Sequence, residues 1–309
     1  MIGFKDQSVI VTGAGRGLGR LYALDLASRG AKVVVNDLGS TMSGDGTDAS
    51  VAEAVVKEIE AAGGTAVAST DSVDNPDGGA AIVQTAVDAF GRLDALVSNA
   101  GIYEMLPFEE LSVEQWRRML QVHLDGAFYV TQPAFRAMKE QGYGRLVMVA
   151  SNIGAFGSGQ AAHYSAAKSG VIGLTNSLAD AGLPYGIKAN AVLPVGRTRM
   201  MTDSVADHEP NPVMDALFEE TTAERVVPLV TYLASSACEL THHNISAVAG
   251  RFARVFMGLG GGWMADRSTG VTAEHIADNI DAITAPDPYD IPLSVSDELV
   301  AVLTRLGII

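Results

Sequence analysis

The stretch "VIVTGAGRGLGR", residues 9 to 20, joins a short apolar run to a helical pattern through four glycines at 13, 15, 17 and 19. A run rich in valine and isoleucine that stops at glycine reads as a buried strand, and "GRLYALDLASRG" after it has helical spacing. The same alternation continues along the chain. "AKVVVND", "AVAST", "LDALVSNAG", "GRLVMVAS" and "IKANAVLP" read as further strands. Helices lie between them, such as "SVAEAVVKEIEAAGG", with Val51, Val55 and Ile59 one turn apart and a closing glycine pair suited to a C-cap. Strands alternating with helices give an α/β fold, a doubly wound parallel sheet covered on both faces.

Two regions break the pattern. "LGSTMSGDGTDAS", 13 residues from Leu38 to Ser50, is too polar and glycine-rich for an element and longer than most such connections. After about Gly250 the alternation stops, and the tail has too few apolar residues for a second core. The expected organisation is therefore one large α/β domain over residues 1–250. Residues 251–309 form an extension packed on that domain or on a neighbouring subunit.

The 309 residues carry a formal charge of −15 and are 48% hydrophobic. Such a field repels phosphate backbones and anionic lipid, so no nucleic-acid or membrane partner is expected. No segment has the apolar length of a membrane span. The start has no secretory pattern, and "RLGII" at the end is no peroxisomal or retention address. With Cys238 as the single cysteine, a cytoplasmic protein is expected.

Glycines between a strand and a helix let a pyrophosphate approach the helix N-terminus, where free N–H groups favour negative charge. The usual G-x-G-x-x-G spacing is not met, because Leu18 stands where the last glycine belongs, so the loop alone does not decide the ligand. Asp37 ends the second strand 18 residues after Gly19, near the offset at which an acid binds an adenosine ribose. Its charge favours NAD over NADP, and Arg16 pulls the other way. A solvated loop acid is the plainer alternative for Asp37.

In "HYSAAKSG", Tyr164 and Lys168 are four residues apart and so share one helix face, continued by Val171 and Leu178. Ser151 closes the strand "GRLVMVAS", 13 residues before the tyrosine. Ligands of parallel sheets bind at the carboxyl ends of strands, where Ser151 and the glycine loop both fall. A phenol near an ammonium and a positive nicotinamide is biased toward phenolate, which suits proton transfer.

"TGAGRGLG", "SNAG" at Ser98 to Gly101, Ser151 and "YSAAK", in this order over about the first 250 residues, resemble the short-chain dehydrogenase/reductase family. The resemblance implies a Rossmann-like sheet with a nicotinamide cofactor, and the charge of Asp37 makes NAD the expected one. It implies Tyr164 as acid/base, Lys168 as the group that lowers its pKa and binds the nicotinamide ribose, and Ser151 on the substrate oxygen. Gly13, Arg16, Gly17, Leu18 and Gly19 would hold the pyrophosphate side. Asn99, Ala100 and Gly101 would line the adenosine side, Asp71 and Ser72 would flank the adenine, and Pro194 and Thr198 would approach the nicotinamide amide. Homodimers or homotetramers are common in the family. "VVVNDLG", "VHLDGAF", "YGRLVMVAS" and the tail with "GGGW" are similar to the (3R)-hydroxyacyl-CoA dehydrogenase units of peroxisomal multifunctional enzymes of type 2, which also act on hydroxysteroids. The hydratase and sterol-carrier segments of those enzymes have no counterpart in these residues. "PVGRTRM" replaces their "PNAGSRM" on the substrate side.

His123 stands in "VHL" where most of the family has asparagine. In the family the backbone carbonyl at this position holds a water whatever the side chain, so the resemblance implies a structural histidine, with direct proton transfer as the alternative. His163, beside the phenol, faces either the substrate or the helix start. Cys238, His242 and His243 lack a fourth ligand, so no metal is expected. Arg197, Arg199, Arg251, Arg254 and Arg267 either bind CoA phosphates or are surface charges. The expected activity is NAD-dependent hydride transfer between a secondary alcohol and a ketone, a 3-hydroxyacyl-CoA or a hydroxysteroid-like molecule. A non-redox lyase or epimerase using the same tyrosine and lysine, or a silent nucleotide-binding regulator, are the alternatives.

Overall fold

The computed structural model describes residues 2–197, 215–216, 219–266, 268 and 270–308. Thr198, Arg199 and Arg267 lie outside them. Contacts divide the chain into two units, Met1–Val255 and Phe256–Ile309.

The first unit is built on an eight-stranded sheet. Its strands are β1 (Ser8–Thr12), β2 (Lys32–Asn36), β3 (Thr65–Ser69), β4 (Ala95–Ser98), β5 (Gly144–Val149), β6 (Ile187–Val195), β7 (His243–Val248) and β8 (Arg251–Val255). They lie in the order β3-β2-β1-β4-β5-β6-β7-β8. The first seven are parallel, and β8 runs antiparallel to β7. Residues 251–255 therefore belong to the sheet and not to the extension, which begins at Phe256. The sequence reading missed β8 because Ala249 and Gly250, both at positive φ, turn the chain straight back, and the strand "RFARV" is mostly exposed.

Side chains alternate across each strand, so neighbouring residues enter different cores. Val9, Val11, Val33, Val35 and Val97 pack with Tyr22 and Leu26 of α1 (Gly17–Ser28), Val55 and Ile59 of α2 (Ser50–Ala61), and Val230 and Leu233 of the helix Val227–Ala234. Ile10, Val34, Leu96, Leu146 and Met148 pack on the opposite face. Their partners there are α3 (Pro76–Phe90), α5 (Gly126–Gln141) and α7 (Ala162–Gly182). Such fully covered strands explain the unbroken valine and isoleucine runs. Between α3 and α5, α4 (Val113–Leu120) opens on a Ser112–Gln115 capping box and runs into a π-turn, residues 121–125, in which Gly126 N–H donates to the Gln121 carbonyl. α6 (Asn152–Phe156) follows β5.

The order reverses between β1 and β4, which makes the crevice at their carboxyl ends the place where such a sheet binds ligands. The second unit holds the paired strands Leu259–Gly260 and Tyr289–Asp290 and the helices Ala273–Asp278, Ile280–Thr284 and Val295–Arg305.

Candidate active site

Thr12, the last residue of β1, ties the crevice together. Its hydroxyl accepts from Asn99 N–H and Ala100 N–H, each at 3.0 Å. The Asn99 amide donates back to the carbonyls of Thr12 at 3.0 Å and Gly13 at 3.1 Å. Gly19 must be glycine in this arrangement, since a Cβ there would lie 2.0 Å from the Gly13 carbonyl. The start of α1 is left without a side-chain cap or an acidic first-turn residue. Its first N–H groups therefore have no side-chain acceptor, an arrangement that suits an anion.

A cavity of about 520 Å³ opens over this helix start. It is lined by Gly13, Arg16, Gly17, Leu18, Gly19, Asp37, Asp71, Ser72, Asn99, Ala100, Gly101, His123, Ser151, Tyr164, Lys168 and Pro194. Every expected site residue within the described part of the chain thus borders one space. Thr198 lies outside the described residues. Arg197, Arg251 and Arg254 are absent from this lining.

Asp37 sits just past β2, and both its oxygens are engaged. Oδ2 accepts from Gly15 N–H and Oδ1 from Gly39 N–H, each at 2.7 Å. It braces the glycine loop as well as facing the cavity, which is more than a solvated loop acid does. Arg16 donates from Nη1 to the Ser40 carbonyl at 2.9 Å. Asn36, buried at the end of β2, was not singled out from the sequence. Its amide donates to the Ser69 hydroxyl at 3.1 Å and the Asp71 carbonyl at 2.9 Å, and so fixes the turn that carries Asp71 and Ser72.

The polar insertion after Asp37 is folded over the cavity. Thr41 N–H donates to the Asp45 carbonyl, Asp48 N–H to the Leu38 carbonyl and Tyr103 N–H to the Met42 carbonyl. Arg118 pairs with Asp45 at 2.8 Å. Leu38, Met42, Ile102, Tyr103, Met105 and Ile153 give the cavity an apolar wall. No periodicity marks these residues in the sequence, because all but Ile153, in the short helix α6, lie on loops.

Ser151 follows the end of β5, and its Oγ accepts from Ile153 N–H at 3.1 Å, capping α6. Tyr164 and Lys168 lie on the buried face of α7 with Val171, Thr175 and Ala179. The stripe runs through Thr175 and Ala179, while Leu178 is only partly buried. Lys168 Nζ donates to the Val149 carbonyl at 2.6 Å. Burial lowers its pKa to about 7. Burial pushes the Tyr164 phenol up to about 12, against a hydrogen bond with Ser151 that pulls it down. The expected lowering of the phenol by Lys168 is not seen in the chain alone. The ammonium is 5.8 Å from the ring centroid, and desolvation of the phenolate outweighs it.

His123 is buried in the π-turn with its Nε2 2.7 Å from the Ile102 carbonyl. Its ring meets Tyr164 edge-on, with centroids 5.1 Å apart. Burial and the nearby Lys168 charge hold its pKa well below the usual histidine value, so it is neutral near pH 7. Among the described residues, no group of three or more His, Cys, Asp or Glu is placed to hold a metal. Nor is any helix there long and apolar enough to cross a membrane.

Comparison with known proteins shows the family and the fold. The family model described as short chain dehydrogenase matches residues 7–210. Peroxisomal multifunctional enzyme A of Dictyostelium discoideum is 39% identical over 315 residues, covering 99% of this chain and 66% of that protein. Peroxisomal multifunctional enzyme type 2 of Drosophila melanogaster is 42% identical over 277 residues, covering 89% and 44%. The chain therefore spans less than two thirds of these relatives' length. The solved full-length Drosophila enzyme superposes with a TM-score of 0.81 at 33% identity, over 99% of this chain and 50% of that one. A short chain dehydrogenase from Mycobacterium avium superposes at 0.76 and 34% identity, over 92% and 98%. The chain belongs to the short chain dehydrogenase family.

Proposed function

We propose that the protein is an NAD-dependent oxidoreductase that interconverts a secondary alcohol and its ketone, with Tyr164 as acid/base. One observation carries the reading: Ser151, Tyr164 and Lys168 border the same cavity as the uncapped start of α1. The free N–H groups there and the carboxylate of Asp37 fit a dinucleotide with an unphosphorylated ribose. Lys168, Asn99, Asp71 and Ser72 would hold its remaining length. When bound, the nicotinamide supplies hydride acceptance and donation.

The chain's own residues handle the proton. Ser151 Oγ steadies the substrate oxygen, and the Tyr164 phenolate takes the hydroxyl proton, returning it in the reverse reaction. A phenol pushed up to about 12 needs positive charge nearby to ionise near neutral pH. A protonated Lys168 supplies one. Its own fall to about 7 makes that charge sensitive to pH in the working range.

The apolar wall of Met42, Ile102, Tyr103, Met105 and Ile153 suits an acyl chain or a fused-ring substrate. Together with the word dehydrogenase in the name of a Saccharomyces cerevisiae relative, peroxisomal hydratase-dehydrogenase-epimerase, 40% identical over 254 residues, this supports a 3-hydroxyacyl-CoA or a hydroxysteroid-like alcohol. We take the working form to be a cytoplasmic homodimer or homotetramer. The names of the multifunctional relatives say peroxisomal, so imaging of the tagged chain tests the compartment.

The deciding experiment follows the near-ultraviolet absorbance of reduced nicotinamide over hydroxyacyl-CoAs, hydroxysteroids and small alcohols, with NAD and with NADP. Turnover with NAD that is abolished by Tyr164→Phe supports the reading. Substrate conversion without net cofactor change would point to a lyase or epimerase, and binding without conversion to a regulator.

A further inference from the structure

His163 is fully buried, and neither ring nitrogen has a hydrogen-bond partner. A buried imidazole without a partner forfeits its solvation for nothing, so a charged neighbour within 4 Å matters. That neighbour is the half-exposed carboxylate of Glu104, whose Oε2 lies 3.8 Å from Nε2. The other oxygen, Oε1, accepts from the Gln115 amide at 3.0 Å. Gln115 is itself fixed, because its carbonyl oxygen accepts from Ser112 N–H in the capping box of α4. The carboxylate is thus held by α4 and aimed at the first turn of α7.

Glu104 sits on the loop between β4 and α4, which also carries Tyr103. The Tyr103 ring meets the Tyr164 ring edge-on, with centroids 5.2 Å apart. Farther along, Leu106 N–H donates to the Gln160 carbonyl just ahead of α7, at 2.8 Å. These three contacts, of Tyr103, Glu104 and Leu106, join the loop to the segment that presents the phenol. Tyr103 and Met105 line the cavity on either side of Glu104, whereas Glu104 and His163 do not.

We infer that Glu104 and His163 form a clasp that seats the Tyr103–Met105 wall against the substrate beside Tyr164. The inference rests on the proposed oxidoreductase reading. Both are positioning residues: they act through Tyr103 and Met105. The separation is about 1 Å longer than a charge-assisted hydrogen bond, so a small inward movement of the loop completes the clasp. Among the described residues, no hydrogen bond or ion pair joins the dinucleotide cradle of Asp37, Asn99 and the start of α1 to the pair. The clasp therefore acts on the alcohol or ketone and not on the cofactor.

The test uses the full chain and three variants: Glu104→Ala, Glu104→Gln and His163→Gln. With the alcohol found to turn over, Glu104→Ala is expected to raise the substrate KM about tenfold, with kcat within about threefold and NAD affinity unchanged. Glu104→Gln, which keeps an accepting oxygen, restores most of the KM. An unchanged KM in Glu104→Ala, or a matched fall of kcat and thermal midpoint, overturns the clasp and leaves the oxidoreductase reading intact. A second readout is independent of turnover. The imidazole nitrogen resonance lost in His163→Gln identifies His163, and it is expected to shift in Glu104→Ala. No shift overturns the clasp. Absence of wild-type turnover with every alcohol overturns the reading, and the positioning role with it.

Discussion

The ammonium of Lys168 donates to the Val149 carbonyl at 2.6 Å, joining the second turn of α7 to the end of β5. Burial depresses its pKa from 10.5 to about 7, so between those values the unfolded chain holds a proton that the folded chain does not. Stability therefore rises with pH across this window, and the penalty is complete below about pH 7. Lys168→Met removes the titration. Urea unfolding from pH 6 to 10 should show the wild type gaining on the variant by up to about 1.4 kcal/mol per pH unit. Loss of the Val149 bond offsets the two curves by a constant, so the slope is the diagnostic quantity. Parallel curves would contradict the depressed pKa.

Tyr164→Phe keeps the ring against Tyr103 and His123 and removes only the hydroxyl. Turnover should fall by roughly two to four orders of magnitude, the usual range for a lost acid/base group. Dinucleotide binding and the melting temperature should stay close to those of the wild type. Substantial residual turnover would require another proton carrier.

Asp37 braces the glycine loop, and in the proposed reading its charge repels a ribose phosphate. Asp37→Asn should move the ratio of kcat/KM for NADP over NAD upward by about tenfold or more, through loss of that repulsion. One of the two N–H groups of Gly15 and Gly39 loses its acceptor, at a cost of about 1–3 kcal/mol. Kinetics with both cofactors and a melting curve read the two effects separately. An unchanged cofactor ratio would assign Asp37 to bracing alone.

What the sequence disclosed and what it hid follow a physical division. Val9 to Val11 and Val33 to Val35 announce covered strands because period and composition are local properties. Tyr164 and Lys168 share a face because helix geometry requires it. The apolar wall of Met42, Tyr103 and Met105 could not be read, since loops bring these residues together through single contacts such as Tyr103 N–H to the Met42 carbonyl. Asn36 looked like any polar strand end, although its amide sets the Asp71 turn. The strand Arg251–Val255 escaped because an exposed edge strand has no hydrophobic signature. The phenol's upward shift escaped because desolvation depends on burial, which spacing does not encode.

Gly101 and His123 form a pair that separates a structural histidine from a proton shuttle. A Cβ on Gly101 would lie 2.2 Å from His123 Cε1. The ring cannot easily retreat, held as it is by the Ile102 carbonyl and the edge of Tyr164. Gly101→Ala should therefore cost about 1–3 kcal/mol of overpacking. His123→Asn shortens the side chain, and the double variant should recover part of that loss, with a coupling energy of about 0.5–3 kcal/mol. His123 is neutral near pH 7 because burial lowers its pKa, so it has no acidic imidazolium proton to give there. Relative to the unfolded value near 6.5, the depressed pKa means stability is lost as pH falls below about 6.5, and no His123 step is expected in the activity profile above it. Turnover of His123→Asn should thus stay within about threefold of wild type at pH 7 to 8. If the folded variant instead loses most of its turnover, His123 takes part in proton transfer, and its contact with Ile102 is a way of orienting a shuttle.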